Sequence, residues 1–275
     1  MTIIATILIG LLGASIGSFL SVLIYRVKNK KKGIFLSRSF CTSCKKKIQW
    51  QHLMPLFSWL FLRGKCAYCG KKISAHYFIL ELTTAFVFVM TFLKFNFVLS
   101  TPSIVNPDFF NYSIDYFTLE TLVFYLVEFT IMMAIFFYDA LYQEIPDRFS
   151  VTAIALAIVG AILLGNPDAI NMLVGGLAIG SFFLLQFLIS NGRWIGGGDI
   201  RLGILMGLLL GWELGLLAII LSYFLGSIYA FYLLATKKVT GKSAIAFGPF
   251  LVMGTILSIW YGDVILDFYL STILF

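Results

Sequence analysis

The chain has 275 residues, 60% of them apolar and only 12% charged, with a formal net charge of +7. Its mean hydropathy of +0.96 excludes a soluble globular domain, because the apolar runs repeatedly reach the ~20 residues that cross ~30 Å of hydrocarbon. The expected fold is an all-α polytopic membrane protein of about eight transmembrane helices, with a small cytoplasmic zinc-ribbon-like insertion between the first and the second. Three parts are expected: a first transmembrane helix (1–25), a basic domain with two CxxC pairs (26–74) and a seven-helix membrane domain (75–275).

The first predicted helix runs from Thr2 to Tyr25. It reads as a retained anchor and not a secretory signal, since its charges follow the apolar run and no basic n-region precedes it. Gly13, Ser15, Gly17 and Ser18 give it a small-residue face for close helix contact. Between Arg26 and Lys72 the chain then carries thirteen Lys or Arg and no Asp or Glu. In a soluble protein that density would suggest nucleic acid. Beside apolar spans it follows the positive-inside rule, so nucleic acid is not an expected partner, the segment is cytoplasmic and the N-terminus lies outside. Lys28-Asn29-Lys30-Lys31-Lys32 reads as a solvated tether or as a patch for anionic lipids of the bilayer, at about 1 kcal/mol per charge.

The second predicted helix, about Ala75 to Leu99, carries Glu81 in its cytoplasmic half. Segment 100–116, with Pro102, Pro107, Asp108 and Asn111 and no Lys or Arg, reads as an outer loop. The third helix, about Phe117 to Leu141, returns to the cytoplasm and ends on Tyr138-Asp139. A short inner loop, Gln143 to Phe149, contains Pro146, which ends one helix and can open the next, and precedes the fourth, about Ser150 to Leu164. An outer turn, Gly165-Asn166-Pro167-Asp168, leads to the fifth, about Ala169 to Ile189, whose Gly175, Gly176 and Gly180 suit tight packing. Asn191 to Gly198 is an inner loop. The sixth and seventh, about Ile200 to Leu210 and Leu214 to Leu234, turn near Gly211-Trp212-Glu213. Lys237, Lys238 and Lys242 mark the last inner loop before the eighth, about Phe247 to Leu270. This order puts nineteen of the twenty Lys and Arg on the cytoplasmic side, with Lys94 the exception, so the charge supports the helix count.

All four cysteines lie in the basic segment, as Cys41-Thr42-Ser43-Cys44 and Cys66-Ala67-Tyr68-Cys69, with 21 residues between the pairs. Two such pairs can complete a tetrahedron of thiolates around one zinc ion. Disulfides are disfavoured in a reducing cytosol. A segment this small needs metal to supply folding energy, so the expected role is a structural staple. His52 and His76 are expected at the surface or a helix end, because four sulfurs already fill the shell.

Asp139 ends the third predicted helix and Asp199 begins the sixth, so both lie at the cytoplasmic interface although sixty residues apart. A carboxylate at an apolar boundary is costly unless something uses it. Two carboxyls sharing a proton can hydrolyse a peptide: one activates water while the other hydrogen-bonds the scissile carbonyl. Gly196-Gly197-Gly198 leaves the backbone before Asp199 bare for a substrate strand. The plainer reading is that each Asp flanks a helix. It fits Asp199 at a helix N-terminus, and it fits Asp139 poorly, since a C-terminal dipole disfavours negative charge. A cation or proton transporter using Asp139, Asp199 and Glu81 is the alternative reading.

These motifs together resemble the type IV prepilin leader peptidases. Gly17-Ser18-Phe19-Leu20 with Tyr25-Arg26, the paired CxxC segment with Pro55, Tyr77 to Glu81, Asp139 with Ile145-Pro146-Asp147, Gly196 to Asp199, and Ala246-Phe247-Gly248-Pro249 carry the resemblance in order. Ser21, Phe78 and Arg201 depart from the family's usual Asn, Pro and Lys. The resemblance implies a bacterial inner-membrane aspartic protease of the GxGD type. Its partners would be prepilin or pseudopilin precursors, cleaved just before their apolar helix. It also implies N-methylation of the new terminus with S-adenosylmethionine.

Overall fold

The computed structural model describes residues 2–30, 39–96, 119–165, 167–237 and 244–273. The expected outer loop 100–116 lies outside these, as do Lys31, Lys32, Asn166, Lys238 and Lys242. The described residues are helical apart from turns and two isolated β-bridges. The helices are α1 (Thr2–Lys28), α2 (Phe57–Phe61), α3 (Ala75–Asn96), α4 (Leu119–Tyr142), α5 (Asp147–Leu164), α6 (Ala169–Ser190), α7 (Gly197–Ala235) and α8 (Gly248–Ile273). All but α2 are long and apolar enough to cross a membrane. The chain forms two compact units, Met1–Leu126 and Val127–Phe275.

In the first unit α1 and α3 pack antiparallel along the small-residue face read from the sequence. A Cβ on Gly13 would stand 2.9 Å from the Ala85 Cα, and one on Gly17 2.7 Å from the Glu81 Cα, so only glycine lets the backbones approach this closely. Thr84 and Thr91 are fully buried beside this seam and return their hydroxyls to the carbonyls of Leu80 and Val87 on their own helix. Ile3, Ile4 and Leu8 remain exposed on α1, as lipid-facing residues should.

In the second unit α7 decides the topology. Its 39 residues would span ~58 Å if straight, about twice the hydrocarbon thickness. Gly211 breaks it, at φ 72° and ψ −169°. A Cβ on Gly215 would lie 3.8 Å from the Gly207 Cα, where a continuous helix would separate those positions by ~12 Å. The chain therefore reverses at Gly211, as the two helices expected on either side of Gly211-Trp212-Glu213 require. Asn171 holds the reversal: its Oδ1 accepts the Trp212 N–H at 2.8 Å. The first arm of α7 runs antiparallel to α6, and the second arm, marked by Tyr223 against Gln186, runs parallel to it. The α8 helix closes on that second arm, with Gly254 against Ser222 and Gly262 against Leu214.

The seam of α6 and α7 is backbone on backbone. A Cβ on Gly207 would meet the Gly175 carbonyl at 2.2 Å. Neither side can yield as a flexible side chain would, so Gly207→Ala should cost about 1–3 kcal/mol. Loss of detergent-solubilised thermal stability relative to Gly203→Ala, which meets only the Phe183 ring and the Ile179 carbonyl, would check this.

Candidate active site and metal centre

The Tyr138-Asp139 pair lies in the last turn of α4, and Tyr138 is fixed by edge contacts with Tyr142 and Phe149. Asp139 is 5% exposed. Its Oδ2 accepts the N–H of Gly248, the first residue of α8, at 3.0 Å. An acid at the C-terminal end of its own helix is thereby placed at the positive N-terminal end of another. This resolves the misfit noted for Asp139 in the sequence.

Asp199 is the third residue of α7 and 8% exposed. Its Oδ2 accepts the N–H of Gly196 at 2.9 Å, so the capping role considered for it is real. Gly198, next to Asp199, and Gly248, which holds Asp139, both approach Ile145. Ile145 stands between their supports. A Cβ on Gly198 would meet the Ile145 Cβ at 2.7 Å, and one on Gly248 would meet the Asp139 Oδ2 at 2.6 Å and the Ile145 Cδ1 at 3.1 Å. Two glycine-bearing segments thus converge on one apolar side chain. Pro146 at the N-cap fixes the next turn, and Asp147 in the first turn of α5 pairs with Arg201 of α7. That pair is exposed, with Asp147 72% accessible, so it sets register more than stability.

Three features escaped the sequence reading. The Tyr223 hydroxyl donates to Gln186 at 2.9 Å, its ring lies 5.0 Å from that of Phe247, and it senses the charge of Asp199. Ile145 stands in the sequence as one member of the Ile145-Pro146-Asp147 motif, and its place between the two supports comes from the fold alone. Glu128 is fully buried in α4, and neither of its carboxyl oxygens has a hydrogen-bond partner among the described residues. It precedes Asp139 by eleven residues, about three turns, on the same face and ~16 Å deeper along the helix. That i, i+11 spacing was the available signal.

The cysteines form a second centre in the first unit. Each CxxC closes the same turn: Cys41 donates to the Lys46 carbonyl and Cys66 to the Lys71 carbonyl, both at 2.9 Å. Lys45 and Gly70, which follow the second cysteine of each pair, both adopt positive φ. The four Sγ atoms lie within 4.8 Å of one another, with Cys41 to Cys69 at 4.0 Å. Tetrahedral zinc at ~2.3 Å per sulfur needs Sγ separations of ~3.8 Å, so the set fits a metal ion. The backbone hydrogen bond from Cys44 draws the Cys41 thiol down to about 6. Cys69 is pushed up to about 11 despite a backbone hydrogen bond at Lys71, by desolvation and by the three neighbouring thiols. A divalent cation would relieve that mutual opposition. Neither His52 nor His76 belongs to the cluster.

Two family models match the chain: the bacterial peptidase A24 N-terminal domain over residues 11–95, and the type IV leader peptidase family over residues 126–231. A prepilin leader peptidase/N-methyltransferase of Dichelobacter nodosus is 30% identical over 287 residues, covering 92% of this chain and 91% of that protein. The chain belongs to the type IV leader peptidase family. Proteins of the same name from Bacillus subtilis (strain 168) and Legionella pneumophila are 28% and 27% identical, over 86% and 96% of this chain and 87% and 94% of theirs. No solved structure matches it. The leader-peptidase match covers Asp139, Asp199 and the Gly211 reversal, and the N-terminal match covers both cysteine pairs.

Metal analysis of the purified protein should give about one zinc per chain. Cys44→Ser or Cys69→Ser should each lower that content and expose 26–74 to protease.

Proposed function

We propose that this chain is an aspartic endopeptidase that removes the leader from type IV prepilins or pseudopilins at the cytoplasmic membrane interface, with Asp139 and Asp199 as its catalytic pair. The single observation that carries the reading is the convergence of these two buried acids, sixty residues apart, on glycine-flanked helix starts. In this reading the N-terminus lies outside, and the basic segment 26–74 is a cytoplasmic domain folded around structural zinc held by Cys41, Cys44, Cys66 and Cys69. Residues 75–275 are then the membrane peptidase part.

The chemistry follows from the placement. The pair holds one proton between its two carboxyls, because like charges this close oppose double ionisation. One carboxylate takes a proton from water as the oxygen attacks the scissile carbonyl. The other donates its proton to the carbonyl oxygen, and the tetrahedral intermediate collapses as the leaving amine is protonated. The hydrogen bonds from Gly196 and Gly248 fix which carboxyl oxygen of each acid turns toward the substrate. The bare stretch Gly196 to Gly198 can pair with the substrate backbone.

The names of the relatives also imply methylation of the new N-terminus, for which S-adenosylmethionine would supply the methyl group. Two apolar clefts among the described residues do not fit that molecule: one is lined by residues such as Tyr223 and Phe247, the other by residues such as Met54 and Phe57, and neither has an acidic side chain for its ribose or amino group. No step is assigned to it here.

A cation or proton transporter is the second reading, and Glu128 is the observation that favours it, as a lone acid deep in a span. It predicts ion flux into vesicles that Glu128→Gln abolishes. The peptidase reading predicts no such flux and continued cleavage by the same variant.

Asp139→Asn and Asp199→Asn should each reduce prepilin cleavage by roughly 10³-fold or more while the protein still inserts, measured as the mass of the product's N-terminus on co-expression. Gly248→Ala forces its methyl toward the Asp139 carboxylate and should lower kcat about 10–100-fold with little change in KM.

A further inference from the structure

Between the two cysteine pairs lies a stretch that neither the metal nor the proposed peptidase uses. It is a 3₁₀ turn, Trp50–Leu53, followed by the short α2. Trp50 and Phe61 are 74% and 83% exposed, and Leu53, Met54, Phe57 and Leu60 are exposed beside them. Trp50 and Leu53 share one side of the 3₁₀ turn. Phe57, Leu60 and Phe61, at i, i+3 and i+4, share one face of α2. Beside the α2 face lies a cleft of about 350 Å³, lined by Met54, Phe57, Phe61 and Leu62 together with Gln51 and His52 of the turn. A contiguous apolar patch of this size on a cytosolic surface signals a binding site.

Two contacts fix its depth. The Leu56 N–H donates to the Glu81 Oε2 at 2.7 Å, with Leu56 held at φ 62° and ψ −53°, a conformation that L side chains rarely adopt. The Trp59 ring stacks on Phe78 with centroids 4.9 Å apart. Phe78 and Glu81 are the fourth and seventh residues of α3, whose candidate span begins at Ala75. At 1.5 Å per residue they lie ~4.5 and ~9 Å inside the end of that helix. Glu81 is itself locked at this level by the Ser18 hydroxyl and by Gly17 of α1. Leu56 and Trp59, within this stretch, therefore lie alongside the first two turns of α3, and the exposed residues are their neighbours in sequence. Lys45, Lys46, Lys47, Arg63 and Lys65 flank it, and the chain has no acid between Arg26 and Lys72.

We propose that Trp50–Phe61 is an interfacial membrane anchor. Its apolar face enters the boundary between headgroups and acyl chains at the end of α3, and the flanking cations meet lipid phosphates. Exposed aromatic and aliphatic residues at span-end depth, with a cationic rim, are what a bilayer surface selects. The Leu56–Glu81 bond then docks the metal-bound insertion against the membrane, and this holds whatever reaction the second unit performs.

The test uses the full chain in lipid nanodiscs. Trp50 emission is read as the difference between the wild type and Trp50→Phe, and separately in a variant keeping Trp50 with Trp59, Trp194, Trp212 and Trp260 changed to Phe. Lipids brominated at carbons 6 and 7 should quench this emission at least about twofold, and aqueous acrylamide should quench it little. Emission open to acrylamide and indifferent to bromine would overturn the proposal, placing Trp50 in water. Indifference to both would also overturn it, with a second copy or another protein covering the patch. If the multiple variant fails to fold, the wild-type difference still reports either result.

Discussion

The structure turns on one constraint: each of the two buried aspartates is held by a backbone N–H at the start of a helix, and glycines at those starts leave the room that the contact needs. Asp139 takes the N–H of Gly248 and Asp199 takes that of Gly196. Both donors open helices, so each acid lies where a helix dipole favours negative charge. A Cβ at position 248 would intrude on Asp139 itself, and one at 198 on the Ile145 side chain that both segments share. The glycines that look like flexibility in the sequence are, in the fold, the clearance that lets three segments meet.

The same economy of side chains sets the scaffold. Without water inside the bilayer, helices associate through close packing and not through a hydrophobic gain between them. Gly13 and Gly17 bring α1 onto α3, and Gly175 and Gly207 bring α6 onto α7. Gly211 does something different. Its positive φ lets α7 reverse within one residue, and Asn171 takes the Trp212 N–H that the break releases. The reversal returns the second arm alongside α6, which carries Tyr223 back to the level of Asp199.

The first unit gathers four cysteines into a cluster that could hold a metal ion. The segment between α1 and α3 has few buried apolar residues, among which Cys66 counts as one. Two copies of one turn bring four sulfurs together, and the Leu56–Glu81 and Trp59–Phe78 contacts tie the intervening stretch to α3. Glu81, read from the sequence only as an acid within a span, is thus a junction between helix, insertion and α1.

Hydropathy by itself determined the class and the positions of the spans, because lipid demands apolar helices of fixed length. Motif spacing determined the four cysteines as one cluster and marked Asp139 and Asp199, because carboxylates at apolar boundaries and paired CxxC turns are rare without a use. The sequence could not tell which backbone donors hold each acid, that Ile145 separates their supports, or that Glu128 stands unpartnered behind Asp139. Those are facts of residues distant in the chain, and only packing brings them together. The break at Gly211 lies between these cases: composition suggested a turn there, but a glycine inside an apolar run reads equally as helix, and the contact of Gly215 with Gly207 was needed to decide it.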